Sequence, residues 1–147
     1  MSSRPNTFLL AGAGLSAVAA LLHVAIIFGG APWYRFFGAG EGMARAAEAG
    51  QWYPALVTTG IAFVLGLWAA YALAGAGVIR RLPWLRLGLC VITAIYLVRG
   101  LALLPAWVWA PAEVTPFVVW SSVICMLYGA VHVLGVVRAW PQLSRAG

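Results

Sequence analysis

Four long apolar stretches, Phe8–Phe28, Trp52–Ile79, Trp84–Leu104 and Pro116–Val137, take up most of this chain and leave little room for anything else. A helix needs about 20 predominantly apolar residues to cross about 30 Å of hydrocarbon, and each stretch meets that length. Hydrophobic residues are 64% of the whole and charged residues 8%, against roughly 45–50% and 25% in soluble domains, so a water-soluble fold is excluded. The expectation is an all-α integral membrane protein, a single domain over residues 1–147, with four transmembrane helices in an up-down bundle. What remains is one outer loop over 29–51, two short connections and short termini.

The distribution of charge predicts orientation. The formal charge of +6 comes from nine arginines, no lysine and three glutamates. Arg4, Arg80, Arg81, Arg86, Arg138 and Arg145 flank the stretches on one side; Arg35 and Arg45 share the other with Glu41, Glu48 and Glu113. The positive-inside tendency then puts both termini and the loop around Arg80 in the cytoplasm of a bacterial inner membrane, and explains the basic balance without nucleic acid. Trp33, Trp52, Trp84, Trp107, Trp109 and Trp140 stand at stretch ends, where an indole favours the headgroup level. Ala17-Val18-Ala19 resembles a small-residue cleavage site, but the apolar run continues to Phe28, longer than a signal peptide core, and is read as a retained first span.

The outer loop has internal pattern. In Gly38–Gly50, alanines are interleaved with Glu41, Arg45 and Glu48, spaced four and three apart, which predicts a short glycine-bounded helix. Pro32–Phe37, with four aromatic residues, is expected in the interface or folded back over the bundle. Leu-Ala-Gly-Ala-Gly occurs at Leu10–Gly14 and again at Leu73–Gly77; it reads as a packing seam where small residues let backbones approach.

Polar residues fall on stripes. Ser121, Cys125, Tyr128 and His132 in the fourth span, and Gly12, Ser16, Ala19 and His23 in the first, follow the 3.6-residue repeat and point to interhelical contact. Two histidines at different depths satisfy neither a bis-histidine haem nor a zinc site, so no cofactor or metal is expected. Cys90 and Cys125 are expected to be buried packing residues.

Arg99 carries the strongest functional hint. It is six residues before Pro105, roughly 9 Å below the expected outer end of its helix. An arginine costs about 2.5–3.5 kcal/mol near a span's centre, so something must compensate. Snorkelling to phosphates, an ion pair with Glu41 or Glu48, and an anion held in an outward-facing cavity are the three alternatives. His23, Thr58, Thr59, Tyr96, Ser121 and Ser122 stand at the same outer level. Helical phase tempers the cavity: Arg99 shares a face with Ile92, Ile95 and Leu103 and lies more than 100° from Cys90, Thr93 and Gly100.

The chain has a general resemblance, in architecture alone, to small four-helix proteins of bacterial inner membranes. It lacks the first-helix acid of small multidrug exporters, the exported cysteine pair of disulfide-forming quinone enzymes, and the charged second helix of glutathione-dependent membrane transferases. The leading expectation is an outward polar pocket built from Arg99, His23, Tyr96, Thr59, Ser121, Ser122, Glu41 and Glu48. It would bind a lipid headgroup or an anionic or amphipathic small molecule, in a protein acting alone, as a homo-oligomer or as an accessory subunit of a larger membrane complex. The alternatives are a membrane-embedded enzyme with His23 as acid or base, and a small transporter along a path from His23 to His132.

Overall fold

The computed structural model describes residues 5–144; Arg4 and Arg145, counted above toward orientation, lie outside the described residues. Among those residues the fold is all helical: α1 (Thr7–Phe36), α2 (Glu41–Glu48), α3 (Tyr53–Gly75), α4 (Leu85–Leu101), α5 (Leu103–Trp109), a 3₁₀ turn over Pro111–Glu113, and α6 (Pro116–Ser144). Four segments are long and apolar enough to span a membrane: Thr7–Phe36, Tyr53–Gly75, Leu85–Trp109 and Pro116–Ser144. These are the four spans read from the sequence, as expected of a multi-pass membrane protein.

Their ends differ in informative ways. The first was expected to stop at Phe28, and helical geometry does break two residues on, where Gly30 takes φ 65° and ψ −153°. A new helical stretch then carries Pro32 to Phe36, so the aromatic segment is helix and not an irregular loop. Gly29 makes room for this: a Cβ there would collide with the Trp33 ring. The second span ends at Gly75, not at Ile79, because Gly77 takes φ 80°. The Gly77 amide then donates to the Ala74 carbonyl and that of Val78 to Leu73, a Schellman cap. Gly38 and Gly50 close α1 and α2 in the same way, each at φ 68°.

The third span runs past Leu104 to Trp109 with a discontinuity at Ala102, where Pro105 cannot donate to the carbonyl of Leu101. The connection expected over Pro105–Thr115 is therefore mostly helical. The fourth span starts at its predicted residue: Pro116 occupies the first turn, and the Thr115 hydroxyl accepts from the Val118 amide at 3.3 Å. It runs seven residues beyond Val137, through Pro141, to Ser144.

The chain divides into two compact units, Ala17–Gly66 and the remainder. In the larger unit, the start of α1, the end of α3 with its cap, the start of α4 and the end of α6 share one core of Leu9, Ala74, Ala76, Leu85, Leu89, Val136, Ala139 and Leu143. Leu9 is completely buried. A Cβ on Gly75 or on Gly135 would come within 2.9 and 2.7 Å of its methyl carbons, so Leu9 sits as a knob between two glycines. Gly100 meets the backbone of Met126, and Gly129 meets Leu97, which bring α4 and α6 together along their length.

Asn6 latches this core. Its side-chain oxygen caps α1 by accepting from the amides of Phe8 and Leu9 at 3.1 and 3.2 Å. Its side-chain amide donates to the Gly135 carbonyl at 2.8 Å, and its backbone amide to Ala76 at 3.2 Å. In the smaller unit, Ile26, Ala31, Tyr34 and Ala44 form a second core with Phe37, Met43 and Ala47 packed against it. Replacing Asn6 by Ala removes a cap and an interhelical bond at once. A loss of about 1–2 kcal/mol is expected, read as an earlier midpoint when helicity is followed by circular dichroism through an SDS titration.

Candidate functional site

The two polar stripes read from the sequence meet in the larger unit. Gly12 of α1 faces His132 of α6 so closely that a Cβ on it would lie 2.8 Å from His132 Cε1. One turn on, the Ser16 hydroxyl is 2.9 Å from the Tyr96 hydroxyl of α4, both groups buried. The Tyr96 ring is the hub of an aromatic cluster, edge-on to Trp68 at 5.0 Å and to Tyr128 at 5.3 Å, and tilted against His132 at 5.2 Å. Such pairs add roughly 0.5–1.5 kcal/mol each beyond area burial. Tyr96, expected in a ligand pocket, therefore works as a packing post between α1 and α6.

His132 is fully buried. Its Nδ1 is 2.8 Å from the Tyr128 carbonyl, which suits the neutral tautomer with the proton on Nδ1. Nε2 is buried with no hydrogen-bond partner among the described residues. Thr93, also buried, returns its hydroxyl proton to the Leu89 carbonyl of its own helix at 2.7 Å. The cysteines are half-buried and free, Cys90 against the core.

Arg99 lies in the same unit but on a different face. Leu85, Leu89, Ile92, Thr93, Tyr96 and Gly100 are the buried residues of α4, so the Thr93–Gly100 side points inward and Arg99 is left exposed beside α6. Its guanidinium donates to Ser122 Oγ at 3.3 Å and to Ser121 Oγ at 3.2 Å. Ser121 in turn donates to the Val118 carbonyl at 3.1 Å, and Ser122 is buried. Three of the residues expected at the site are thus joined. Because the span extends to Trp109, Arg99 is about 15 Å from its end, deeper than the sequence suggested.

The remaining expected residues belong to the smaller unit. Glu41 and Glu48 are both held by Arg35: its Nε and Nη2 bracket the Glu41 carboxylate at 2.9 Å each, and Nη1 reaches Glu48 at 2.7 Å. Arg45 adds a 3.1 Å contact to Glu41, the four-residue pair foreseen on α2. The two-toothed Arg35–Glu41 geometry is the strong form of an ion pair, and these guanidinium bonds hold the Glu41 carboxyl down at about 2 and push Glu48 down as well. His23 is half-buried with Nδ1 2.8 Å from the Ala19 carbonyl one turn back. Of the adjacent threonines, Thr59 is exposed; Thr58 is buried, 2.8 Å from the Pro54 carbonyl and 3.2 Å from the hydroxyl of the buried Tyr34.

Comparison of the chain with protein-family models, with curated proteins and with solved structures finds no match.

Two outcomes follow from this geometry. Gly12→Ala drives a methyl into a buried ring with no free side to move toward, and is expected to cost about 1–3 kcal/mol. In a double-mutant cycle with His132→Ala most of that loss should vanish, a coupling read from SDS-unfolding midpoints. The Arg35 cluster gives a pH dependence. Because the folded Glu41 carboxyl titrates near 2 instead of at its ordinary 4.5, its contribution is complete above about 4.5 and disappears as pH falls toward 2. Limited proteolysis of the α2 segment should accelerate across that window in the wild type, and Glu41→Gln should cleave at the fast rate already at neutral pH.

Proposed function

We propose that this chain is a multi-pass protein of the bacterial inner membrane, an up-down four-helix bundle with both termini cytoplasmic, whose outward half holds an anionic headgroup through Arg99. The arrangement of charge supports the orientation. Arg80, Arg81, Arg86 and Arg138 fall near the end of α3, the start of α4 and the end of α6, whereas in sequence Glu41 and Glu48 fall between α1 and α3 and Glu113 just before α6. The shared core, built from the start of α1, the end of α3, the start of α4 and the end of α6, supports the alternating course.

One observation carries the functional reading: a guanidinium deep within an apolar span whose hydrogen bonds are to two neutral hydroxyls, Ser121 and Ser122. Hydroxyls orient the fork but leave its charge uncompensated, and an uncompensated charge in hydrocarbon is costly. Three of the five guanidinium N–H groups remain for a phosphate or carboxylate, which the planar fork can take with two parallel bonds. The ligand class that meets both the charge and the apolar surroundings is a lipid or other amphiphile with an anionic head. Glu41 and Glu48, engaged by Arg35, have their own cation and serve here as part of the outer structure.

Native mass spectrometry of the full chain released in non-ionic detergent tests this. The wild type should retain a discrete amphiphile mass that Arg99→Ala loses, with occupancy falling about tenfold or more for a charge-assisted contact. Identical ligand-free spectra for both proteins would overturn the proposal.

A further inference from the structure

The arginine-rich end of the larger unit contains a second place suited to a ligand, made from residues that the Arg99 site does not use. A groove of about 710 Å³ opens there between the start of α4 and the end of α6, with Arg81, Trp84, Arg86 and Trp140 around its mouth and Leu82, Leu85 and Leu143 in its wall. Trp84 and Leu87 also line a second groove of about 270 Å³, which continues along α4 past Leu67, Trp68, Val91 and Ile92. Trp84 and Leu87 line both, so a groove beside the arginines and an apolar groove along α4 lie on either side of the Trp84 ring.

The state of the cations matters. The Arg86 guanidinium carbon stands 4.0 Å from the Trp140 ring centroid, a cation–π contact that holds the group over the ring without using its N–H donors. Arg81 spends one donor on the Gln142 carbonyl at 3.1 Å, which orients the group and leaves four. Among the described residues, no carboxylate lines either groove. The partition between them is Trp84, whose ring is exposed and whose backbone is left-handed at φ 57°, the one non-glycine residue with positive φ among those described. The backbone turn at Trp84 also leads straight into α4, whose first turn carries no acid.

We propose that these adjoining grooves together bind one anionic phospholipid, with its phosphate between Arg81 and Arg86 and an acyl chain passing the Trp84 ring and Leu87 into the groove beside Trp68 and Ile92. Two arginines with no carboxylate beside them among the described residues favour an anionic head, and the apolar groove favours a molecule that has a chain attached to it. A free phosphate would satisfy the mouth and leave the apolar groove empty. The Trp84 ring packs along the glycerol and upper chain, the position an interfacial indole prefers. The site rests on the membrane reading above but not on Arg99.

The test uses the full chain in non-ionic detergent, titrated with phosphatidylglycerol or with phosphatidylcholine of the same chains and followed by native mass spectrometry. Beyond any amphiphile retained at Arg99, wild type should take one further phosphatidylglycerol in preference to phosphatidylcholine. Arg81→Gln/Arg86→Gln should lower that affinity about tenfold or more, while Arg45→Gln, at an exposed position that lines neither groove, leaves it unchanged. Equal binding of the two lipids by wild type overturns the site, whether or not the double variant folds. So does displacement of the lipid by millimolar inorganic phosphate alone, which would mean that the apolar groove contributes nothing. Flotation of the chain with vesicles reads membrane residence separately, so failure of that reading is told apart from failure of this one.

Discussion

Leu9 between Gly75 and Gly135 is the contact on which the larger unit depends. In lipid there is no hydrophobic gain from bringing two leucine-covered helices together, because the hydrocarbon they displace is as apolar as they are. Helices associate there when backbones can come close enough for dispersion and hydrogen bonding to accumulate. Two glycines opposite one fully buried leucine allow that approach, and Asn6, one turn before Leu9, uses it to bond the Gly135 and Ala76 backbones. Everything toward the middle of the unit, including the seating of His132 against Gly12 and of Ser16 against Tyr96, presupposes the spacing set at that point.

Arg35 and Arg99 show how the same side chain is accommodated in different surroundings. Arg35, on an exposed surface, has two carboxylates, one of them gripped through two of its nitrogens, and the glutamates' titration is displaced as a result. Such exposed pairs add little stability one by one, but three charges tied to the end of α1 and both ends of α2 define where that short helix lies. Arg99, in an apolar span, has two serine hydroxyls, which give direction without charge balance. The difference is between a cation paired with carboxylates and one whose partners among the described residues are neutral hydroxyls.

The sequence made the spans, the α2 helix and the polar stripes legible, because each is a matter of period and length. It could not reveal which partner a stripe would meet. The offsets of zero, four, seven and eleven shared by Gly12–His23 and Ser121–His132 were a signal of pairing, yet the pairing involves Tyr96 of a third helix, and half of each stripe lies outside it. The two Leu-Ala-Gly-Ala-Gly copies likewise look equivalent and act differently: in one, Gly12 admits a histidine ring, while in the other Gly75 admits Leu9 and Gly77 ends the helix. The grip of Arg35 on Glu48, thirteen residues away, crosses two turns whose geometry no periodicity encodes. Adjacent threonines show the finest limit, since only helix phase decides that Thr58 is inside and Thr59 outside.

The break at Gly30 has a consequence for how this chain can vary. In an unbroken helix, one inserted or deleted residue rotates everything beyond it by about 100°, so every face-specific contact downstream is lost together. Gly29 and Gly30 interrupt that propagation, because the residues on either side hold their rotational phase through different neighbours: Leu9, Gly12 and Ser16 before the break, Tyr34 through Thr58 after it. The aromatic segment and the charged helix that follows it can therefore change in length without disturbing the seam that seats Leu9.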